Sequence, residues 1–176
     1  MQKTFDVTIT YLEQNTRPQF PLPFRPAGKT ALIRSETPPL HYYRYLYDQV
    51  GGPFHWVSRR YMPDEDLAEI IHNPDVYIYV LYYNGSPCGM AEVDTRKDCH
   101  PPGTVEIKFF GLMPDFIGKR LGRWFLHNVV DLAWSLDPER VVLETCTADH
   151  PAALPLYQKL GFSVYDQGKG VIEWRG

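Results

Sequence analysis

The residues best suited to chemistry lie in Val105–Trp124, VEIKFFGLMPDFIGKRLGRW. A strand-like run ends at Leu112, a short loop carries Pro114 and Gly118, and an amphipathic run begins near Lys119. A helix that starts there leaves unpaired backbone N–H groups pointing outward and carries a partial positive charge. Such an end accepts a phosphate or pyrophosphate. Gly118 and Gly122 let a bulky anion approach the backbone, and Lys119, Arg120 and Arg123 add cations at the same end. The same residues would serve equally as a glycine-containing loop before a solvated basic helix start. The GxxxxGK(S/T) pattern of nucleotide-phosphate loops is absent. None of the 6 His forms an HxH or HxxxH pair, so no metal site is expected. There is no GxSxG elbow of the hydrolase kind.

A second stretch, Asp149–Phe162 (DHPAALPLYQKLGF), ends a short helix and runs into a strand. Together the two stretches resemble the GNAT superfamily, the acyl-CoA-dependent N-acetyltransferases. Leu112, Met113 and Pro114 stand where that family has Val-x-Pro. Its Gln/Arg-x-x-Gly-x-Gly/Ala signature falls on Ile117, Gly118, Lys119, Arg120, Leu121 and Gly122, of which the last glycine matches. Ile117 replaces Gln/Arg and Arg120 replaces the middle glycine. The second motif, Asn-x-x-Ala-x-x-Leu-Tyr then Lys-x-Gly-Phe, reads His150, Ala153, Leu156, Tyr157, Lys159, Gly161 and Phe162, with His for Asn.

The resemblance implies acetyl-CoA as co-substrate, held in a slot between two strands that splay apart, Thr104–Leu112 and Arg140–Cys146. Pantetheine would meet the backbone near Phe110 and Leu112, and the pyrophosphate would meet Ile117, Gly118, Lys119, Arg120, Leu121, Gly122 and Arg123. A backbone N–H near Leu112 would face the developing oxyanion. Tyr157 matches the family's general acid, which protonates the departing thiolate; the alternative is a buried ring at the helix–sheet interface. Glu106 stands where histone-type members carry a glutamate base, with Glu92 as runner-up, and the alternative is a Glu106–Lys108 surface pair. Strand alternation predicts Val105, Ile107 and Phe109 on one face and Glu106, Lys108 and Phe110 on the other. His150 is a helix cap or a proton relay, and Cys146 a structural thiol or an acyl carrier.

By the same resemblance, Tyr42–His72 covers the acceptor. Its rings (Tyr42, Tyr43, Tyr45, Tyr47, Trp56, Tyr61) and the carboxylates Asp64, Glu65 and Asp66 would favour a cationic amine, or would simply cover the sheet. A small-molecule primary amine is the expected acceptor, and a protein amine the next. A non-catalytic acyl-CoA-binding module, or an acyltransferase using an aminoacyl-tRNA, would fit the altered glycine motif. A homodimer is possible.

The whole chain supports this scale of machinery. Its 176 residues suggest one domain spanning residues 1–176, with room for a substantial core. Lys plus Arg is 18 against 21 Asp plus Glu, which argues against a dedicated nucleic-acid binder. No apolar run reaches the ~18 residues of a membrane span and no secretory signal is evident, so no membrane partner is expected. The 3 Cys form no CxxC pair, which suits a reducing, cytoplasmic setting.

The elements that must position these residues can be read from periodicity. Phe5–Leu12 reads as a strand, Arg17–Pro39 as a Pro-rich wrap with a short strand at Ala31–Arg34, and Tyr42–Val50 and Asp64–His72 as helices. Val76–Tyr83 and Cys88–Asp94 form a hairpin about Asn84-Gly85. Thr104–Leu112 is a strand, Gly118–Ser135 a helix, Arg140–Cys146 a strand, and Asp149–Leu160 a helix capped by Asp149 or His150. Phe162–Asp166 and Val171–Trp174 are two last strands around Gly168 and Gly170. The fold class is α+β, and by resemblance a GNAT-like, mostly antiparallel twisted sheet of six to seven strands with about four helices and splayed central strands.

Overall fold

The computed structural model describes residues 3–175. A 7-stranded sheet runs in the order β2-β3-β4-β5-β6-β1-β7. Its strands are β1 (Lys3–Gln14), β2 (Thr30–Ser35), β3 (Val76–Tyr83), β4 (Ser86–Asp94), β5 (Thr104–Leu112), β6 (Arg140–Cys146) and β7 (Ser163–Trp174). The helices are α1 (Leu40–Gly51), α2 (Asp64–Ile71), α3 (Leu121–Trp134) and α4 (Ala153–Lys159). Every strand pair is antiparallel except β5–β6, which α3 connects as a parallel crossover. The α+β expectation, its strand number and its four helices match this arrangement.

Each face of the sheet carries its own apolar layer. On one face Leu121, Phe125, Leu126, Val129 and Ala133 of α3 pack on Val105, Ile107 and Val141, with Tyr157, Leu160 and Phe162 closing the end. On the other, Tyr43, Leu46, Tyr47 and Val50 of α1 and Leu67 and Ile71 of α2 cover Ile78, Val80 and Met90. The three- and four-residue recurrence in α3 is therefore the face it buries.

Three boundaries differ from the sequence reading. The helix expected from Gly118 begins at Leu121, because Gly118 and Arg120 both take positive φ (+86° and +60°). The helix expected from Asp149 begins at Ala153, because Asp149 spends its carboxylate on the backbone N–H of Cys146 and the hydroxyl of Thr145 instead of capping. The last two strands are one, β7, which pairs along β1 from Lys3↔Trp174 to Glu13↔Ser163. Gly170 does not interrupt it: it makes room, since a Cβ there would stand 2.9 Å from Ile9 Cδ1.

Side-chain direction along β5 departs from simple alternation. The β4–β5 register shifts between Glu92↔Phe109 and Val93↔Ile107, so Lys108 is an extra residue in β5. Such a bulge re-aims the side chains beyond it. Phe110 joins Val105 and Ile107 on the α3 face, where its ring lies 4.8 Å from that of Phe125. Phe109 crosses to the α1 face, 5.1 Å from both Tyr47 and Trp56. Simple alternation predicted the reverse.

Beneath α1, Glu92 is fully buried, with Arg59 Nη2 at 2.7 Å and the Tyr43 hydroxyl donating at 2.5 Å. Burial, and then the Glu92 charge, push the Tyr43 phenol well above its ordinary pKa, so it remains a donor. An ion pair this dry is strongly destabilising to break from one side. Glu92→Ala is expected to cost about 3–5 kcal/mol in urea unfolding; a loss under about 1 kcal/mol, typical of exposed pairs, would mean that Arg59 and Tyr43 find other partners.

Candidate active site

Strands β5 and β6 pair at only three positions, Thr104↔Arg140, Val105↔Val141 and Glu106↔Val142. From Ile107 to Leu112 the edge of β5 that faces β6 has no strand partner among the described residues. A cavity of about 560 Å³ fills the opening and reaches both faces of the sheet. On the α3 face it is walled by Phe110, Leu112, Leu121, Gly122, Leu156 and Tyr157. On the α1 face its walls are Val7, Ile9, Phe54, Trp56, Glu144 and Ile172.

At the α3 end, Ile117 is extended, Gly118 and Arg120 are left-handed, and the first helical turn is Leu121, Gly122 and Arg123. No side chain caps this helix, so its first amide donors face outward beside the cavity mouth. An arginine held at φ +60° costs of order 1 kcal/mol or more, a strain that Gly would relieve. The turn points the exposed Arg120 at the cavity, which it lines together with Ile117 and Gly118. Nothing lies within 4 Å of where a Gly118 Cβ would stand, so the corner is open to a bulky group. Lys119 and Arg123, grouped with these residues on sequence, lie outside the cavity lining.

Tyr157 is 7% exposed and stands on the same side, its ring 6.4 Å from that of Phe110 and 6.3 Å from that of Phe162. No hydrogen bond engages its hydroxyl among the described residues. Burial, then the Asp149 carboxylate, push the phenol above its ordinary pKa, so it keeps its proton throughout the neutral range. Asp149 locks the far wall: it accepts from Thr145 Oγ1 at 2.7 Å, Cys146 N at 2.9 Å and Trp56 Nε1 at 3.2 Å. The Cys146 thiol, half-buried in the lining, is held above its ordinary pKa by burial and then by Asp149. His150 accepts from the Ala152 N–H through Nδ1 and packs its ring on Phe54.

Glu106 does not line the cavity. Its carboxylate accepts from Lys108 Nζ at 3.1 Å and approaches His100 Nε2 at 3.6 Å. Burial raises its pKa against the pull of Lys108. Lys108 does line the cavity, 3.9 Å from Glu144 Oε1. Burial disfavours the Lys108 ammonium, but Glu106 and Glu144 outweigh that and raise its pKa. Glu92, the runner-up base, is committed to Arg59 and Tyr43 away from the cavity.

Most residues expected over the acceptor do other work. Tyr43 is core, Tyr42 shares a hydrogen bond with Tyr82, and Asp64 pairs with Arg44. Of that set, Tyr47 and Trp56 reach the cavity. Val7, Ile9 and Ile172 were missed, since ordinary strand residues at opposite ends of the chain carry no local sign of a shared wall. Lys108 and Glu144 had one usable signal, a charge inside each of two apolar runs.

The family model described as "Acetyltransferase (GNAT) family" matches residues 42–162. No curated protein matches the chain. Among solved structures, a tandem GNAT protein from the clavulanic acid biosynthesis pathway has TM-score 0.68 and 15% identity, over 94% of this chain and 53% of its own. A GCN5-related N-acetyltransferase from Sphaerobacter thermophilus has TM-score 0.63 and 16% identity, over 97% and 52%. A functionally unknown conserved protein from Staphylococcus epidermidis has TM-score 0.61 and 17% identity, over 98% and 62%. The chain thus spans roughly half to three fifths of the length of these structures, which at such identities share its fold.

Because three donors converge on Asp149, Asp149→Ala is expected to lower stability by about 1.5–3 kcal/mol. It should also free Trp56, seen as a red shift in tryptophan fluorescence. An unshifted spectrum would show that ring packing alone holds Trp56.

Proposed function

We propose, from the premise that the chain belongs to the GNAT acetyltransferase family, that it moves an acetyl group from acetyl-CoA to a primary amine. The observation that carries this reading is the cavity through the sheet, with an uncapped helix start and Tyr157 on one side and the walls of β1, β7 and the Phe54–Trp56 segment on the other. Donor and acceptor can then be held together without exchanging places.

The residues present suit acetyl-CoA. The first-turn amides of α3 and the Arg120 guanidinium would hold its pyrophosphate, and the unpaired edge of β5 near Phe110 and Leu112 would bond its pantetheine amides. Ile117 and Arg120 depart from the family signature and line the opening, while the space beside Gly118 stays free. The co-substrate supplies a thioester whose carbonyl carbon accepts the amine and whose sulfur leaves.

The chain's own contribution is mainly placement, for which well-aligned pairs reach effective molarities of about 10⁵–10⁸ M. A β5 N–H near Leu112 would stabilise charge on the carbonyl oxygen. Tyr157 gives its phenolic proton to the departing sulfur, which its raised pKa and dry position suit. Over the cycle an ammonium and a thioester become an amide, a thiol and one proton released to solvent. Glu106 meets the cavity only through Lys108, so it balances that cation and does not touch the acceptor. Among the described residues no helix is long and apolar enough to cross a membrane. Cys88, Cys99 and Cys146 are free thiols, consistent with work in a reducing, cytoplasmic setting.

Acetyl-CoA at ~100 times its Kd should stabilise the protein by about 2.7 kcal/mol, a rise of a few degrees in Tm. Tyr157→Phe should keep that shift and lower kcat by about 10²-fold or more. Because the phenol pKa is raised, ionisation of Tyr157 should cost no rate until the pH passes its ordinary value of about 10. Unchanged kcat in Tyr157→Phe would remove the tyrosine from the mechanism. A shift without thiol release from any amine would favour an acyl-CoA-binding module.

A further inference from the structure

The acceptor side of the cavity differs in chemistry from its donor side. Its walls are mostly apolar, formed by Val7, Ile9, Phe54, Trp56 and Ile172; of the polar groups beside them, the Trp56 N–H is committed to Asp149, the Ser58 and Tyr47 hydroxyls bond each other, and the His55 ring packs against Phe5 and Trp174. At the floor are two charges, Lys108 and Glu144. Lys108 is hydrogen-bonded to Glu106 behind the wall, so its charge is already matched. Glu144 is different. Its side chain is 43% exposed, its cross-strand neighbour is Tyr11, and its one ionic contact is the long 3.9 Å approach to Lys108. The Glu106–Lys108–Glu144 trio therefore carries one surplus negative charge, presented inside the cavity by Glu144. Asp149, the other carboxylate there, is saturated by its three donors.

We infer that the acceptor is a primary amine on an apolar body, aliphatic or aromatic, whose ammonium docks on Glu144. This rests on the transferase reading and deepens it by naming the substrate class. Glu144 holds the ammonium and takes one of its protons; the freed nitrogen forms the N–C bond as the C–S bond breaks. The second nitrogen proton replaces the one Tyr157 gives to sulfur, through solvent. The apolar walls bind the rest of the molecule by excluding water. A polyamine would carry further ammonium groups into these walls, and an aminoglycoside would bury hydroxyls against them; both lose hydration without recovering hydrogen bonds.

The test is a kinetic comparison by thiol release at saturating acetyl-CoA, alongside thermal shift with acetyl-CoA alone. The substrates are methylamine, butylamine, hexylamine, 2-phenylethylamine, spermidine, kanamycin and a lysine peptide. We expect kcat/KM to rise by about threefold or more per added CH₂ along the alkylamines. 2-Phenylethylamine should exceed spermidine, kanamycin and the peptide by at least about tenfold. Glu144→Gln should raise KM for 2-phenylethylamine by about tenfold or more while leaving the acetyl-CoA shift intact. Ile172→Ser, at the half-buried rim, should flatten the chain-length dependence. An acetyl-CoA shift combined with a preference for spermidine, kanamycin or the peptide overturns the inference and leaves the transferase reading standing. An unchanged KM in Glu144→Gln overturns the role of that carboxylate. No shift with acetyl-CoA removes the transferase reading, and the inference falls with it.

Discussion

The parting of β5 from β6 after three paired residues is the constraint on which everything else depends. A parallel pair inside a sheet ordinarily continues, because each unpaired backbone group in a dry interior is costly. Here the ladder stops beside the Lys108 bulge, and bulges weaken pairing and increase twist. Above that point the strands diverge: Phe110 and Tyr157 wall one side of the gap, and Trp56, tied to Asp149, bounds the other. The unpaired edge of β5 is the cost of the opening, and it leaves backbone groups free on the cavity wall.

The electrostatics arise from that divergence. Charges on strands flanking a closed sheet would be forced to the surface or into full pairing. Glu92 and Arg59 take the second course and belong to the scaffold. Glu106, Lys108 and Glu144 sit at the vertex of the opening and are graded: one carboxylate behind, one cation between, one carboxylate facing the cavity. On the α3 side the same opening leaves Tyr157 at the cavity wall, dry enough to stay protonated. The protonated phenol of Tyr157 and the carboxylate of Glu144 thus stand on opposite faces of one sheet.

Periodicity read most of the fold correctly. The helical recurrence in α3, the Asn84-Gly85 hairpin and the continuously apolar β3 each reflect a local rule that tertiary contacts reinforce. It failed where local rules are overridden. Lys108 looks like any alternating residue, and only its pairing with β4 reveals the extra position that sends Phe109 and Phe110 to opposite faces. Gly168 and Gly170 look like a turn, yet β1 runs long enough to hold β7 straight through them. Arg120 occupies a left-handed position that glycine would ordinarily take, so the helix start fell three residues later than expected.

The motif around Tyr157 and the glycine-bearing approach to α3 are contiguous, so their resemblance to the motifs of the acetyltransferase family could be read from the sequence. Contiguity is what a sequence preserves. The α1-side end of the cavity is assembled from β1, the Phe54–Trp56 segment, β6 and β7, more than 160 residues apart along the chain between Ile9 and Ile172. Which carboxylate faces the cavity depended on strand order, on one bulge and on where a ladder ends. These are properties of hydrogen bonding between strands, and no single stretch of residues contains them.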